Sequence, residues 1–128
     1  MEKHVIRTEN APAPFQGAPY SQGIRAGEFV FVAGQLGGAP DGSGLVPGGI
    51  EAQTEQALRN LAAILDAAGS GMDSLVKTTV FLQDLGDFAA MNAVYAQHVG
   101  ARPPARSTFE VAKLPSGALV EIEAIAHL

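Results

Sequence analysis

Residues 102–126 read RPPARSTFEVAKLPSGALVEIEAIA, and this stretch decides the fold. Two runs in it, residues 106–111 and 119–126, have the apolar and β-branched content of strands, and Lys-Leu-Pro-Ser-Gly between them is typical of a turn. Successive side chains of a strand point to opposite faces of the sheet. The second strand therefore has one apolar face, formed by Val120, Ile122, Ala124 and Ala126.

The charged residues of this stretch predict what lies on the other face. Glu121 alternates with the apolar residues of the second strand, and Arg106 alternates with Ser107 in the first. We expect helices to cover the apolar face, and Arg106 and Glu121 to share the face left open. An open face of mixed apolar and charged character is typical of a subunit interface. The stretch thus predicts a closed homo-oligomer with clefts between subunits.

The remaining chain supplies the other elements of the fold. Apolar spacing and breakers predict helices over residues 50–68 and 88–99, the second beginning after an Asp87 cap. Strands are predicted over residues 3–8, 21–24, 28–33 and 75–85, with a turn at Ala26-Gly27. The run FVFVAG is apolar on both faces, which predicts a strand buried on both sides. Residues 37–49 are rich in Gly and Pro and form a loop excursion.

These elements predict an α+β domain with two layers. Both helices pack on one face of a mixed sheet of about six strands. A chain of 128 residues suits one hydrophobic core, so residues 1–128 are expected to form a single domain.

Composition excludes several classes of function. The net charge is −5 and the eight Lys and Arg residues are scattered, which disfavours nucleic acid as a partner. No cysteine is present, which excludes thiolate chemistry and disulfides. His4, His98 and His127 fall in different elements, so no metal is expected. The sequence lacks a signal peptide or an apolar run that spans a bilayer, which favours a cytoplasmic protein with no membrane partner.

Four segments carry a resemblance to a known family. GAPYSQGI, VAGQL, KTTVFLQDLGDFAAMNAVYAQH and above all PARSTFEVAKLPSGALVEIEAIA are similar to the RidA family, also called the YjgF family. The resemblance covers nearly the whole chain. It implies a chorismate-mutase-like fold and a homotrimer with three inter-subunit clefts. It also implies hydrolysis of reactive 2-imino acids, such as 2-iminopropanoate and 2-iminobutanoate, to 2-oxo acids and ammonia without metal or cofactor.

The resemblance also implies roles for individual residues. Arg106 would hold the substrate carboxylate through its planar guanidinium, and Glu121 would orient the attacking water. Tyr20 would complete the catalytic set by lining the cleft. Gly34 would allow close approach of the ligand to the backbone, and Asn92 would add a polar contact.

Three positions depart from the family pattern. Thr108 stands where the family often has cysteine, so a thiol is not essential and Thr108 is a candidate for ligand binding through its main chain. Ala18 replaces the usual glycine, and Ala33 stands where a hydroxyl residue is frequent. The last two departures bear on substrate preference more than on reaction type.

Other readings of the same residues stay open. Without the resemblance, Arg106 and Glu121 would more often form an interfacial salt bridge, and Tyr20 would more often be a packing residue. The alternative functions are a trimer that binds a small carboxylate as a sensor, and a holdase. Endoribonuclease activity is less favoured because the chain is acidic.

Overall fold

Six strands form one mixed sheet in the computed structural model of the chain, which describes residues 1–128. In chain order the elements are β1 (Lys3–Ile6), β2 (Gly23–Ala26), β3 (Phe29–Leu36), α1 (Gly49–Ala67), β4 (Leu75–Leu82), α2 (Phe88–Val99), β5 (Ala105–Glu110) and β6 (Val120–His127). The strand order across the sheet is β1-β2-β3-β6-β4-β5. Only β4 and β5 pair in parallel, because α2 connects them as a crossover helix. The predicted two-layer α+β fold is confirmed.

Both helices cover the same face of the sheet. The inner stripe of α1 is buried and packs on β3 and β6. The apolar face predicted for β6 is confirmed, since Val120, Ile122, Ala124 and Ala126 are all buried. Burial of each large aliphatic side chain contributes about 1.5–3 kcal/mol, so this layer is the main source of stability. The largest fully buried aliphatic side chains are Leu58, Leu61, Ile64, Leu65, Leu82 and Ile122.

The helix ends follow from local chemistry. Gly69 adopts a left-handed φ of 82°, and the N–H groups of Gly69 and Ser70 donate to the carbonyls of Asp66 and Leu65. This is the Schellman motif, which satisfies the last carbonyls of α1. Asp87 occupies the N-cap position of α2 as predicted, although its side chain makes no capping hydrogen bond. Gly100, with a φ of 71°, ends α2.

Some element bounds differ from the sequence prediction. The strand predicted over residues 21–24 begins only at Gly23, where the ladder with β1 and β3 starts, and it continues to Ala26. The hairpin turn falls at Gly27-Glu28 instead of Ala26-Gly27, because Ala26 still pairs with Phe29. β4 ends at Leu82 because a 3₁₀ turn over Leu85–Asp87 follows it, in which Asp84 accepts a hydrogen bond from the N–H of Gly86.

A β-bulge interrupts β3 where it pairs with β6. Val32 pairs with Ala124 and Gln35 pairs with Ile122, so Ala33 and Gly34 together oppose one residue of β6. The extra residue shifts the alternation of side chains, and both Val32 and Gln35 are buried on the helix-covered face. The bulge thereby places Gly34 on the opposite face. Bulges of this kind are frequent beside active sites.

The sheet face turned away from the helices is named the open face. It carries several apolar side chains, among them Phe31 and Phe109, whose exposed fractions are 43% and 45%. Phe81 and Phe109 pack edge to face on it, with ring centroids 5.2 Å apart. The prediction that residues 28–33 are buried on both sides is wrong for one protomer, because the helices cover only one face of the sheet and Phe29 and Phe31 lie on the other.

Neither α1 nor α2 combines the length and the apolar character that crossing a bilayer requires.

Candidate active site

Arg106 lies on the edge strand β5 and faces helix α2. Its register partner on β4 is Thr78, which is 1% exposed beneath the helices. Paired residues of neighbouring strands share a face, so Arg106 lies on the helix-covered side. The guanidinium carbon is 4.8 Å from the ring centroid of Tyr95 and 5.6 Å from that of Phe88. None of the ion pairs in the chain includes Arg106.

Glu121 lies on the opposite face of the sheet. It pairs with Phe81 on β4 and with Leu36 on β3, and Phe81 in turn pairs with Phe109 on the open face. The prediction that Arg106 and Glu121 share the open face is therefore wrong within one protomer. The alternation within each strand is as predicted, but the sequence does not specify the register that relates β5 to β6 through β4.

Two polar side chains accompany Arg106. Asn92 is four residues from Phe88 and three from Tyr95, so it lies on the α2 face that meets Arg106. Thr108 is two residues from Arg106 along β5 and shares its face. Asn92 Oδ1 and Thr108 Oγ1 are both buried and have no hydrogen-bond partner. Such atoms are costly unless a ligand or a neighbouring chain satisfies them. Arg106, Asn92 and Thr108 are named the arginine group.

The arginine group has the chemistry of a carboxylate site. A guanidinium offers planar pairs of N–H donors that match a carboxylate, and no anion of the protomer uses them. The hydroxyl of Thr108 adds one possible donor, and the amide of Asn92 adds N–H donors and an acceptor. The buried hydroxyl of Thr108 was not anticipated from the sequence, which assigned only its main chain.

Burial changes the acidity of Glu121. Partial burial disfavours its charged form and raises the pKa of the carboxyl group above the ordinary glutamate value, and the negative charge of Glu123 raises the pKa further. A higher pKa makes the ionised carboxylate a stronger base. Glu121 is thus a better proton acceptor for a water molecule than an ordinary glutamate is.

Gly34 is in direct contact with Glu121. A Cβ atom at Gly34 would overlap the carboxylate of Glu121 and lie only 2.8 Å from its Cδ. Every residue other than glycine would therefore displace the carboxylate. The β3 bulge brings the two residues together, because it turns Gly34 to the face where Glu121 lies.

Tyr20 lines a cleft that continues from Gly34. The cleft has a volume of about 400 Å³, and its walls include Phe15, Leu36, Leu45 and Ser116. The hydroxyl oxygen of Tyr20 accepts a hydrogen bond of 2.7 Å from the N–H of Phe15, so its own hydrogen stays free to donate. Tyr20, Gly34 and Glu121 are named the glutamate group. None of the arginine group lines this cleft.

Gln22 fixes the loop that forms one wall of the cleft, although it is not among the residues predicted for the site. Its side-chain oxygen accepts from the N–H of Thr8 at 2.8 Å. Its side-chain nitrogen donates to the carbonyls of Thr8, Ala11 and Pro12, at 3.1, 3.2 and 2.8 Å. The one sequence signal for this role of Gln22 is its position in the motif GAPYSQGI, two residues after Tyr20.

The six residues predicted for the site thus fall into two groups on opposite faces of the sheet. The arginine group has the donors to bind an anion, and the glutamate group has a base beside a cleft. A protomer does not bring them together.

Comparison with known proteins identifies the family. The family model described as Endoribonuclease L-PSP, which represents the YjgF/RidA proteins, matches residues 8–128. The chain belongs to the RidA family. A RutC family protein of Pyrococcus horikoshii is 51% identical over 98% of both chains. The mouse protein named 2-iminobutanoate/2-iminopropanoate deaminase is 44% identical over 97% of this chain and 90% of its own length.

Solved RidA structures share the fold. The crystal structure of RidA from the Antarctic bacterium Psychrobacter superposes with a TM-score of 0.92, at 41% identity, over 98% of this chain and 99% of that one. The resemblance to RidA inferred from the sequence motifs is confirmed.

In the present RidA-family chain, no cluster of three or more His, Asp or Glu side chains is placed to hold a metal ion.

Proposed function

We propose that the chain is a cofactor-independent deaminase that hydrolyses 2-imino acids, including 2-iminopropanoate and 2-iminobutanoate, to 2-oxo acids and ammonia. The observation that carries the proposal is the pair of complementary groups, one an unpaired guanidinium with buried polar neighbours and the other a glutamate with a raised pKa. The names of the mammalian relatives support the reaction.

The substrate would be held through its carboxylate. Arg106 would donate two parallel hydrogen bonds to the carboxylate oxygens, with Asn92 and Thr108 as further polar contacts. This arrangement fixes the imine carbon relative to the protein. Positioning of this kind contributes much of the rate when the intrinsic barrier is low, as it is for an activated imine.

Glu121 would activate the water. The water oxygen bonds to the imine carbon, the electron pair of the C=N bond moves to nitrogen, and Glu121 accepts the proton that the water loses. The same proton then passes to the nitrogen and the C–N bond breaks. Glu121 accepts the proton of the hydroxyl as the hydroxyl becomes the carbonyl of the oxo acid, and the departing ammonia takes up this proton to become ammonium. The net reaction is R–C(=NH₂⁺)–COO⁻ + H₂O → R–CO–COO⁻ + NH₄⁺. General acid–base catalysis of this kind contributes roughly 10²–10⁴-fold.

The complete site would form between protomers of a homotrimer. Packing the open face of one protomer against the β5 edge of another would bring a glutamate group to an arginine group. It would also bury exposed aromatic side chains such as Phe31 and Phe109. A closed ring of three protomers would contain three equal sites.

The test of the proposed function is direct turnover. An amino-acid oxidase generates the two imino acids in solution, and oxo-acid formation is compared for wild type, Arg106→Ala and Arg106→Lys. We expect wild type to accelerate the reaction, Arg106→Ala to abolish the acceleration, and Arg106→Lys to recover part of it, because lysine keeps the charge without the planar fork. Absence of turnover by a folded wild-type oligomer would contradict the proposal.

Alternative functions predict different results in the same assays. A sensor would bind small carboxylates through Arg106 without turnover. A holdase would suppress aggregation regardless of Arg106. Endoribonuclease activity, which the description of the family model names, requires binding of RNA phosphates, and a chain of net charge −5 is poorly suited to it.

We further propose a cytoplasmic location.

A further inference from the structure

We propose that Tyr95 is a positioning residue for the carboxylate site, holding the Arg106 guanidinium against the face of its ring. The inference rests on the proposed role of Arg106. It extends that role to a residue that does not contact the substrate. Phe88, about two helical turns earlier on α2, adds a second ring.

The geometry explains why Arg106 needs such support. Arg106 lies on an edge strand, is half-buried, and is not part of any ion pair of the protomer. A long side chain in this situation has many rotamers, and ordering it on ligand binding costs conformational entropy. A cation within about 6 Å of an aromatic centroid is attracted by the ring, and the Tyr95 distance is 4.8 Å. The ring therefore restricts the guanidinium before the ligand arrives while leaving its N–H groups free.

The ring itself is fixed by a buried hydrogen bond. The hydroxyl of Tyr95 and Oγ1 of Thr78 are 2.6 Å apart, and Tyr95 and Thr78 are only 5% and 1% exposed. Thr78 is also the register partner of Arg106 across β4 and β5. The position of the ring and the position of the Arg106 backbone thus depend on the same residue of β4. Arg106, Tyr95 and Thr78 form one connected unit.

Substitutions at position 95 separate the ring from the hydroxyl. Tyr95→Leu removes the ring, whereas Tyr95→Phe keeps the ring and removes only the hydrogen bond to Thr78. We expect Tyr95→Leu to raise KM for imino acids roughly 5- to 30-fold at nearly unchanged kcat, because the carboxylate is bound in both the ground state and the transition state. In Tyr95→Phe, KM should stay within about threefold of the wild-type value, because the ring is kept and only one hydrogen bond is lost. Phe88→Leu should raise KM less than Tyr95→Leu, because the Phe88 ring is farther from the guanidinium and more exposed.

A purely structural role would give another pattern. Tyr95 is also a core residue, and a partly unfolded variant has fewer active molecules, which lowers apparent kcat and leaves KM unchanged. Val99→Ala is the matched control, since Val99 is buried on the same helix and is not one of the two rings that lie against the guanidinium. It should lower the Tm without raising KM. If Tyr95→Leu lowers only apparent kcat, as Val99→Ala does, the positioning role is wrong.

A binding measurement separates this inference from the proposed reaction. Isothermal titration calorimetry with 2-oxobutanoate gives the Kd of a carboxylate without turnover. We expect Kd to rise roughly 5- to 30-fold in Tyr95→Leu and to recover in Tyr95→Phe, whether or not wild type hydrolyses imines. If wild type binds and hydrolyses but Tyr95→Leu has the wild-type Kd, only the positioning role is contradicted. If wild type hydrolyses no imine yet the Kd pattern holds, only the proposed reaction is contradicted. If wild type binds no 2-oxobutanoate, the carboxylate site and with it the positioning role of Tyr95 are overturned, whereas the proposed reaction is judged by turnover alone.

Discussion

Arg106 and Glu121 lie on opposite faces of the same sheet. Arg106 pairs with Thr78 on the helix-covered face, whereas Glu121 pairs with Phe81 on the open face. Arg106 and Glu121 lie on β5 and β6, which follow each other in the sequence. In the sheet, however, β4 lies between these two strands, and one protomer keeps the two side chains apart. A site that uses both residues consequently requires two protomers, and this requirement connects the proposed reaction with the proposed trimer.

The pH dependence of the reaction should reflect Glu121. The carboxylate must be ionised to accept a proton, so kcat/KM should fall as the pH falls through the Glu121 pKa. Because burial raises this pKa, the decline should begin at a higher pH than for an ordinary glutamate. Glu121→Gln should lower kcat roughly 10²–10⁴-fold and remove this limb of the pH profile. An unchanged acid limb in Glu121→Gln would exclude Glu121 as the base.

Glu123 offers a finer electrostatic test of the same group. Its negative charge contributes to the raised pKa of Glu121, after the larger effect of burial. Glu123→Gln removes the charge at similar size, so the pKa of Glu121 should fall and the acid limb should move to lower pH. The measurement is the kcat/KM profile of wild type and Glu123→Gln in the same buffers. A limb that stays in place or moves upward would contradict the electrostatic account.

Gly34 should tolerate no side chain. In Gly34→Ala the new Cβ would overlap the Glu121 carboxylate and displace it, and misplacement of a reacting group by about 1 Å costs on the order of 10²-fold in rate. Gly71→Ala is the matched control, because Gly71 has an extended φ of −175° and no atom within 4 Å of a new Cβ. We expect kcat to fall in Gly34→Ala and to stay near wild type in Gly71→Ala, with both variants folded by circular dichroism. Equal activity of the two variants would show that the Gly34 contact does not matter for turnover.

Gln22 should stabilise the protein through its loop. Gln22→Leu leaves the backbone groups of Thr8, Ala11 and Pro12 without their side-chain partner, which we expect to cost about 2–4 kcal/mol in the free energy of unfolding. Gln97→Leu, an exposed position on α2, should change it by less than about 0.5 kcal/mol. Urea titration at one fixed protein concentration provides both values. A Gln22→Leu variant as stable as Gln97→Leu would mean that water replaces the side chain without loss.

Local signals made much of the fold predictable from the sequence. The helical spacing of α1, the ends of α1 and α2, and the alternation in β6 are properties of short segments, and each was predicted near its observed place. The burial of Val120 and Ile122 followed from the same alternation. Such features need no knowledge of distant parts of the chain.

The relative placement of the site residues was not predictable in the same way. The face on which Arg106 lies depends on its register with Thr78, and that register is set by a crossover through α2. The sheet face on which Gly34 lies depends on a β-bulge that the sequence pattern does not predict. The ring of Tyr95 beneath Arg106 also arises only when α2 packs on β5. These relationships depend on tertiary structure. The sequence motifs therefore identified the site residues without showing which of them contact one another.

Subunit complementation tests the central claim, that Arg106 of one protomer acts with Glu121 of another. Arg106→Ala and Glu121→Ala chains are each inactive by expectation, and they are unfolded together in equal amounts, refolded, and assayed for imino-acid hydrolysis. Random mixing leaves half of the Arg106 positions and half of the Glu121 positions intact, so about a quarter of the shared sites would be complete and about a quarter of the wild-type activity should return. Each variant refolded alone is the control. A mixed oligomer that forms but stays as inactive as the single variants would contradict a site shared between protomers.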